Sequence, residues 1–314
     1  MKWIMSVSLG DASRDFSVET DIAGERVLLE RRGTGGDIRL ARDLMRLYDG
    51  RVTSFGIGGA NLHYVVGAAE YRMRAAWALR DAATRTPVAD GSLIKRFIEP
   101  TIIDHLARNG VQFRGKRAVI SSALDRWYLA EALERAGSKI GILDAALALR
   151  LPVVFQGTRV FGFAARATMP ALRRLPLRWL YPRRIVVAAG GPAAWRGGPA
   201  VGLAERAMAS ADVIAGDSYL AWRCMPRRLD GKTLIVSTAT QEEVDEMMAR
   251  GAGVVASTSP SVAGRSFGAN MIEALIVAFD GRPPAKIPAA CYRQWWERLG
   301  LRFRMETGLV PLSH

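Results

Sequence analysis

The sequence is poor in cysteine and histidine, the residue types that carry much metal and redox chemistry. Its cysteines are Cys224 and Cys291, and its three histidines are His63, His105 and His314. Since none of these residues has the close spacing of a metal or redox motif, we expect free thiols, a reducing cytoplasmic environment and no histidine-based metal site. The sequence also lacks an apolar run of about 18 residues, so it predicts no transmembrane helix.

Acidic residues are missing from one block of about sixty residues, between Asp144 and Glu205, in a chain whose formal net charge is +14. The block has no lysine and nine arginines, which are Arg150, Arg159, Arg166, Arg173, Arg174, Arg178, Arg183, Arg184 and Arg196. Leucines and aromatic residues alternate with the arginines, a composition that suits a ligand anion or peripheral contact with an anionic membrane. The alternative is a solvated basic face on an insertion at 150–200. Nucleic acid binding is disfavoured because no reader motif is present.

Several catalytic motifs are absent as well. The sequence has no H-E-x-x-H and no Walker phosphate loop. Zinc peptidase and P-loop kinase activities therefore lack support.

The most informative feature that is present lies at residues 114–144. Arg117–Ile120 is predicted as a strand, residues 121–126 as a tight turn, residues 127–136 as a helix and residues 139–143 as a second strand that ends on Asp144. An acid about 20 residues beyond such a turn is typical of the first βαβ unit of a dinucleotide-binding domain, where turn amides meet the pyrophosphate and the acid meets a ribose hydroxyl.

This pattern makes the turn and Asp144 the candidate cofactor site. The candidate residues are Ser121, Ser122, Ala123, Asp125, Arg126 and Asp144. Ser121, Ala123 and Arg126 stand where the G-x-G-x-x-G fingerprint has glycine, and the alternative is a βαβ crossover without a ligand. Arg126 could meet a phosphate, or it could pair with Asp125 as part of the structure. The cofactor would be NAD or NADP; Asp144 favours NAD because it repels a 2′-phosphate, whereas a nearby arginine could accept one.

Polar residues also follow two later predicted strands. Asp217 comes after the strand 213–216, and Ser237 and Thr238 end the strand 232–238. The carboxyl ends of strands in an open α/β sheet line the ligand crevice, so these residues join the candidate cofactor site. The alternative is that Ser and Thr are common in turns.

Strand and helix signals alternate along the chain, which predicts an α/β fold with mainly parallel sheets. The strands of the second sheet are predicted near 117–121, 139–143, 185–189, 212–216, 232–238 and 253–257. We expect an N-terminal α/β domain at 1–110, a Rossmann-like, doubly wound domain at 111–283 and a helical tail at 284–314. Asp90 and Lys95, at the end of a predicted strand and the start of a long helix, are the candidate catalytic residues, since a carboxylate lowers the cost of burying a lysine. The alternatives are a helix-capping Asp90 and a solvated Lys95.

The order of these parts resembles the shikimate/quinate dehydrogenase superfamily. The similar segments are Asp90-Gly91-Ser92, the turn and helix at 121–133, the strand and turn at 234–240, and Gly268 to Ile272. Residues 264–270, Gly-Arg-Ser-Phe-Gly-Ala-Asn, are similar to bacterial proteins loosely labelled quinate 5-dehydrogenase. The chain departs from the family in lacking its Asn-Val-Thr-x-Pro-x-Lys run; residues 56–74 offer His63, Tyr64 and Tyr71 instead.

The resemblance implies an NAD(P)-dependent oxidoreductase that acts on a hydroxylated, anionic small molecule in a cleft between two domains. Two alternatives stay open. One is a non-redox ligand-binding protein, lyase or isomerase on the same scaffold, and the other is a peripheral membrane protein that binds through the arginine-rich block. The substrate, the redox direction and the oligomeric state are not predicted.

Overall fold

The computed structural model describes residues 1–176, 198–222, 224–262 and 265–308. The chain forms two compact units. The first unit comprises Met1–Phe97, Thr168–Gly190 and Ser261–Arg302, and the second comprises Ile98–Ala167, Gly191–Pro260 and Phe303–His314. Each unit is therefore assembled from separate stretches of the sequence.

A five-stranded sheet with the order β2-β3-β1-β4-β7 forms the centre of the first unit. Its strands are β1 (Lys2–Ser8), β2 (Phe16–Ile22), β3 (Glu25–Gly33), β4 (Ser54–Gly58) and β7 (Val88–Ala89). β3, β1, β4 and β7 are parallel, and β2 is antiparallel to β3 at one edge. Two short hairpins accompany this sheet, β5 (His63–Val66) with β6 (Ala69–Arg72) and β14 (Ser261–Val262) with β15 (Arg265–Ser266).

A seven-stranded sheet with the order β10-β9-β8-β11-β12-β13-β16 forms the centre of the second unit. Its strands are β8 (Arg117–Ile120), β9 (Lys139–Ile142), β10 (Phe155–Gln156), β11 (Val213–Gly216), β12 (Thr233–Val236), β13 (Val254–Ser257) and β16 (Arg304–Thr307). The five central strands are parallel, and the two edge strands are antiparallel. Numbered within the unit, this order is 3-2-1-4-5-6-7, whose first six strands follow the order of the Rossmann fold.

The described helices connect and flank these strands. In chain order they are α1 (Ile38–Tyr48), α2 (Arg74–Arg80), α3 (Ser92–Arg108), α4 (Trp127–Arg135), α5 (Asp144–Ala148), α6 (Gly157–Leu172), α7 (Pro199–Ser210), α8 (Ser218–Trp222), α9 (Gln241–Ala249), α10 (Ala269–Asp280) and α11 (Ala289–Arg298). Local sequence explains several of their starts. Asp37 accepts hydrogen bonds from the Arg39 and Leu40 amides, and Thr240 with Glu243 forms a capping box at α9.

Burial follows from the apolar strands and helices that the sequence predicts. All four residues of β11, β12 and β13 are buried, as expected for parallel strands covered on both faces. In the first unit, α10 packs on β1, β4 and β7, and nine of its residues are buried. None of the described helices has the length and apolar character needed to cross a membrane.

The α/β fold class and the Rossmann-like second domain are confirmed. The strands predicted near 117–121, 139–143, 212–216, 232–238 and 253–257 correspond to β8, β9, β11, β12 and β13. The strand predicted at 185–189 lies outside the described residues. The boundaries at 110 and 283 stay a prediction, but α10 has its contacts in the first unit, whereas the sequence assigned residues 268–280 to the second domain. The tail predicted as helical contains α11 and the strand β16.

Candidate functional site

The turn at 121–126 lies at the carboxyl edge of the second sheet, between β8 and β11. The Ser121 amide donates to the Ala215 carbonyl at 3.0 Å, and the Ser121 hydroxyl donates to the Asp217 carbonyl at 3.0 Å. Gly216 has a φ of +116°, and a Cβ built on it would lie 2.7 Å from the Ser121 hydroxyl oxygen. The chain leaves β8 towards β9 on one side, and β11 begins the other half of the sheet. This point is where the strand order reverses, the usual ligand position in open α/β sheets.

Asp144 is bound to this turn. Its carboxylate accepts hydrogen bonds from the Ala123 amide at 2.6 Å and from the Leu124 amide at 2.9 Å. Both amides belong to the turn that the sequence analysis assigns to a pyrophosphate. A ligand phosphate at these amides would have to displace a carboxylate of the protein itself.

Asp144 is also protonated more readily than an ordinary aspartate. Burial raises its pKa to about 7, although the hydrogen bonds from the Leu124 and Ala123 amides lower it. Near neutral pH the carboxyl group therefore exists in both forms, and only the charged form accepts from both amides with full strength.

Arg126 is a buried cation surrounded by carboxylates. It is 7 % exposed, its Nη1 lies 3.2 Å from Glu99 Oε1, and its Nε lies 3.1 Å from Asp125 Oδ2. Burial lowers its pKa, but Asp125, Glu99 and Asp217 outweigh burial, and the pKa rises above its ordinary value. The pairing of Asp125 with Arg126, one of the two possibilities that the sequence left open, is present. Arg126 balances internal acids, and its charge is not directed at an open phosphate site.

Glu99 is a residue that the sequence analysis missed. It is completely buried and accepts from Arg126 and from the Leu129 amide, at 3.2 and 3.0 Å. A lone acid in the apolar stretch at 98–103 is the signal that could have identified it. Glu99, Asp125, Asp144 and Asp217 together outnumber Arg126, so the carboxyl edge at this point is acidic and suits hydroxyl donors better than phosphates.

Ser237 and Thr238 lie at the next strand end, and their contacts are internal. The Ser237 carbonyl accepts from the Ser259 hydroxyl at 2.6 Å, and the Thr238 carbonyl accepts from the Ser218 hydroxyl at 2.8 Å. Asp217 accepts from the Leu220 amide at 2.9 Å, as expected at the start of α8. These contacts stabilise the loops at this edge. The proposed role of the three residues in binding a cofactor stays a prediction.

The first unit has a second buried polar cluster, at the start of α3. Asp90 accepts from the Leu62 amide at 2.5 Å, from the Ser92 amide at 3.1 Å and from the Ser92 hydroxyl at 2.7 Å. Ser92 is the first residue of α3, so Asp90 satisfies one of the amides that a helix leaves unpaired at its start. Lys95 is 6 % exposed, so it is not a solvated surface residue. Asp90 and Lys95 thus both lie buried near the start of α3, and their catalytic role stays a prediction.

Glu273, on α10, is the other acid that the sequence analysis missed. One of its carboxylate oxygens accepts from the Leu93 and Ile94 amides, at 3.0 and 2.9 Å. Burial and the neighbouring Asp90 raise its pKa to about 8, although the two amides and Lys95 lower it. The sequence feature that could have identified Glu273 is the same as for Glu99: it is the lone acid in an apolar helix, here between residues 269 and 279.

Tyr292 completes this cluster. Its ring is buried, and burial together with Glu273 raises the pKa of its hydroxyl. Within the part of the chain that the structure describes, neither the Tyr292 hydroxyl nor Glu273 Oε1 has a hydrogen-bond partner. Across the same residues, no group of three or more His, Cys, Asp or Glu side chains is arranged to hold a metal ion.

Comparison with known protein families assigns the chain to a family. Residues 93–307 match the family described as Domain of unknown function (DUF8754), and the chain belongs to it. Residues 3–90 match the family described as Domain of unknown function (DUF8753). No curated protein matches the chain.

Solved structures of low similarity include two dehydrogenases and a binding protein. A hetero-hexameric glutamate dehydrogenase from Thermus thermophilus is 15% identical, with 95% of this chain and 73% of that chain covered and a TM-score of 0.42. An NAD-dependent malic enzyme from Thermotoga maritima is 10% identical, with 96% and 85% covered and a TM-score of 0.35. An ABC transporter solute binding protein from Burkholderia multivorans is 10% identical, with 91% and 96% covered and a TM-score of 0.39. Similarity at this level assigns no function to the chain.

Proposed function

We propose that the protein is an oxidoreductase that uses NAD(H), bound at the point where β8 and β11 diverge. The observation that carries the proposal is the strand order 3-2-1-4-5-6 together with a turn, Ser121–Arg126, at the point where that order reverses. This combination is the general site of dinucleotides on such sheets. The resemblance to shikimate/quinate dehydrogenases supports the same reaction class.

The acids at this edge favour NAD(H) over NADP(H). Carboxylates accept hydrogen bonds from ribose hydroxyls and repel a 2′-phosphate. Asp125, Glu99 and Asp217 act on the one buried arginine, Arg126, and Asp144 lies close enough to Asp125 for their charges to interact. When bound, the cofactor would supply the hydride chemistry, while the protein supplies the acidic edge that holds the ribose.

The proposed substrate is a hydroxylated, anionic small molecule. Oxidation of its alcohol needs a group that accepts the hydroxyl proton, and the first unit offers Asp90 and Lys95 for that role. Both are buried, and both lie close enough to Glu273 to act on its pKa, which Asp90 raises and Lys95 lowers. The substrate itself is not specified by these residues.

Calorimetric titration of the whole chain with NADH and with NADPH tests the proposal. We expect NADH to bind and NADPH to bind at least tenfold more weakly. Ser122→Glu, which places a further carboxylate in the turn, should weaken NADH binding. The absence of heat for both cofactors at millimolar concentration would overturn the proposal.

Asp144 allows a sharper test, because it can help or hinder binding. If its carboxylate holds a ribose hydroxyl, Asp144→Asn weakens NADH binding; if it competes with the pyrophosphate for the Ala123 and Leu124 amides, the same change strengthens binding. Asp212→Asn is the matched control, since Asp212 accepts from the Arg117 amide at 2.8 Å at the opposite edge of the same sheet. The control should leave NADH binding unchanged.

A non-redox function is the second candidate, and a specific observation favours it. Asp144 already satisfies two turn amides, and the turn has no glycine to let a pyrophosphate approach. A ligand-binding protein, lyase or isomerase would use this edge for a ligand rich in hydroxyl groups. Binding of such a ligand without any binding of NADH would identify this alternative.

A further inference from the structure

Exposed apolar side chains are concentrated in one short stretch of the second unit. Among the residues that the structure describes, the large hydrophobic side chains that are exposed are Met1, Leu40, Leu47, Leu149, Leu151, Val153, Val160 and Phe163. Five of these eight lie between residues 149 and 163. Single exposed leucines are ordinary on protein surfaces, but a local group of this kind marks an interaction site.

Phe163 is the most exposed of the five, at 75%. It lies on α6, whose Phe161 and Ala165 are buried, so the helix has one face in the core and Phe163 on the other. Phe161 packs near the Trp127 and Phe155 rings, with ring centroids 6.3 and 5.5 Å apart. These contacts fix the orientation of α6 and keep Phe163 directed outwards.

Arginines flank the apolar residues. Arg159 and Arg166 are exposed and stand four residues before and three residues after Phe163, the spacing that places side chains on one helix face. Arg150 is exposed between Leu149 and Leu151. No acid occurs in the sequence between Asp144 and Glu205, although Glu134 of α4 accepts from the Thr158 amide at 3.3 Å, at the start of α6.

We propose that this surface, formed by Leu149, Leu151, Val153, Val160 and Phe163 with Arg150, Arg159 and Arg166, binds membranes that contain anionic lipid. Charge complementarity selects this partner, because arginines attract anionic headgroups while leucine and phenylalanine side chains enter the interface below them. The attraction weakens with added salt, whereas the apolar contribution does not. This proposal is independent of the proposed cofactor site.

Co-sedimentation of the whole chain with vesicles tests the proposal. We expect binding to phosphatidylcholine vesicles that contain about 30% phosphatidylserine, weaker binding at high salt, and little binding to phosphatidylcholine alone. Phe163→Ser should reduce binding about tenfold by removing one apolar anchor. Arg159→Gln with Arg166→Gln should reduce it about 30-fold at low salt, since each arginine near such a surface contributes roughly a factor of five.

Helix α1 supplies matched controls of the same residue types. Leu40 and Leu47 are 46% and 53% exposed there, and Arg39 and Arg42 are exposed beside them. This helix begins after Asp37, ends before Asp49 and contains Asp43, so acids offset its arginines. Leu40→Ser with Leu47→Ser, and Arg39→Gln with Arg42→Gln, should leave vesicle binding unchanged.

Three results would overturn the proposal. One is a protein that stays in the supernatant with anionic vesicles at low salt. Another is a concentration-dependent dimer, seen by light scattering without vesicles, that is lost in Phe163→Ser, because the surface would then bind a second copy of the chain. A third is a large loss of thermal stability in Phe163→Ser, which would show that the ring is covered within the folded chain.

Discussion

At the carboxyl edges of both sheets, a carboxylate accepts hydrogen bonds from backbone amides, but the charged groups around it differ. In the first unit, Asp90 and Glu273 accept from amides at the start of α3, and Lys95 lies close enough to Glu273 to lower its pKa. In the second unit, Asp144 accepts from the turn amides, but the only buried cation described there, Arg126, is paired with other acids. In both units, a carboxylate that accepts from backbone amides can have a structural role. What differs is the nearby cation, and this cation determines how acidic the edge of the sheet is.

The largest expected effect comes from breaking the charge balance of the second edge. Arg126→Gln removes the guanidinium that pairs with the completely buried Glu99, and we expect a loss of about 3–5 kcal/mol in the free energy of unfolding. Denaturant titration measures it. Arg228→Gln, which disrupts an exposed pair with Asp230, should change stability by less than about 0.5 kcal/mol.

The Arg126 prediction has an internal test. Glu99→Gln combined with Arg126→Gln should recover part of the stability that the arginine change removes, because the buried charge disappears with its partner. A double variant that is less stable than Arg126→Gln alone would contradict the assignment of Glu99 as the critical partner.

Gly91→Ala disturbs the first edge through packing. Gly91 has a φ of +87°, and a Cβ there would lie 2.6 Å from the Asn270 amide nitrogen. Backbone strain and overpacking together should cost about 3 kcal/mol by thermal or denaturant unfolding. Gly110→Ala, at the same φ of +87° but with nothing within 4 Å of the new Cβ, should cost about 1 kcal/mol. Equal losses in the two variants would show that the approach of α10 to Gly91 is not constrained.

The variant Asp90→Asn tests whether Asp90 acts in proton transfer alone or also caps the start of α3. A proton-transfer role alone predicts loss of turnover with stability near that of the unchanged protein. The three hydrogen bonds that Asp90 accepts predict in addition a loss of about 1–3 kcal/mol in unfolding experiments, since an amide nitrogen would face a donor. Asp37→Asn, at the exposed cap of α1, should cost no more than about 1 kcal/mol. An unchanged stability for Asp90→Asn would argue against the capping role.

The smallest expected effect is a difference between the two edges in how the free energy of unfolding depends on pH. A carboxyl group whose pKa is higher in the folded state destabilises the fold as pH rises from its unfolded pKa to its folded pKa. The window runs from 3.8 to about 7 for Asp144 and from 4.5 to about 8 for Glu273. Between pH 7 and pH 8 mainly Glu273 still titrates, so stability should fall by up to about 1 kcal/mol.

Denaturant titrations at both pH values measure this fall. Glu273→Gln should remove most of it, and Asp144→Asn should keep most of it. Asp49 provides a control of opposite sign: although burial raises its pKa, hydrogen bonds from Thr84, Thr86 and Arg85 lower it, so its contribution is lost only on acidification. A fall between pH 7 and pH 8 that Glu273→Gln leaves undiminished would contradict the assignment.

Local patterns predicted the turn, its flanking strands and the acid at position 144, because these depend on residues close in sequence. The pairing of Asp125 with Arg126 and the capping by Asp90 were also within reach as alternatives, since neighbouring residues make them. Glu99 and Glu273 were not predicted, because their partners are 27 to 180 residues away. The position of α10 in the first unit was missed for the same reason: periodicity identifies an apolar helix but not the sheet that it covers.

The contact between Glu273 and the start of α3 has a consequence for synthesis of the protein. The two partners are separated by 180 residues, and α10 covers β1, β4 and β7, which are translated long before it. The N-terminal sheet therefore leaves the ribosome without its covering helix and waits until most of the chain has been made. Contacts of such long sequence separation slow folding, so the first unit is the part of the nascent chain that we expect to need protection from aggregation.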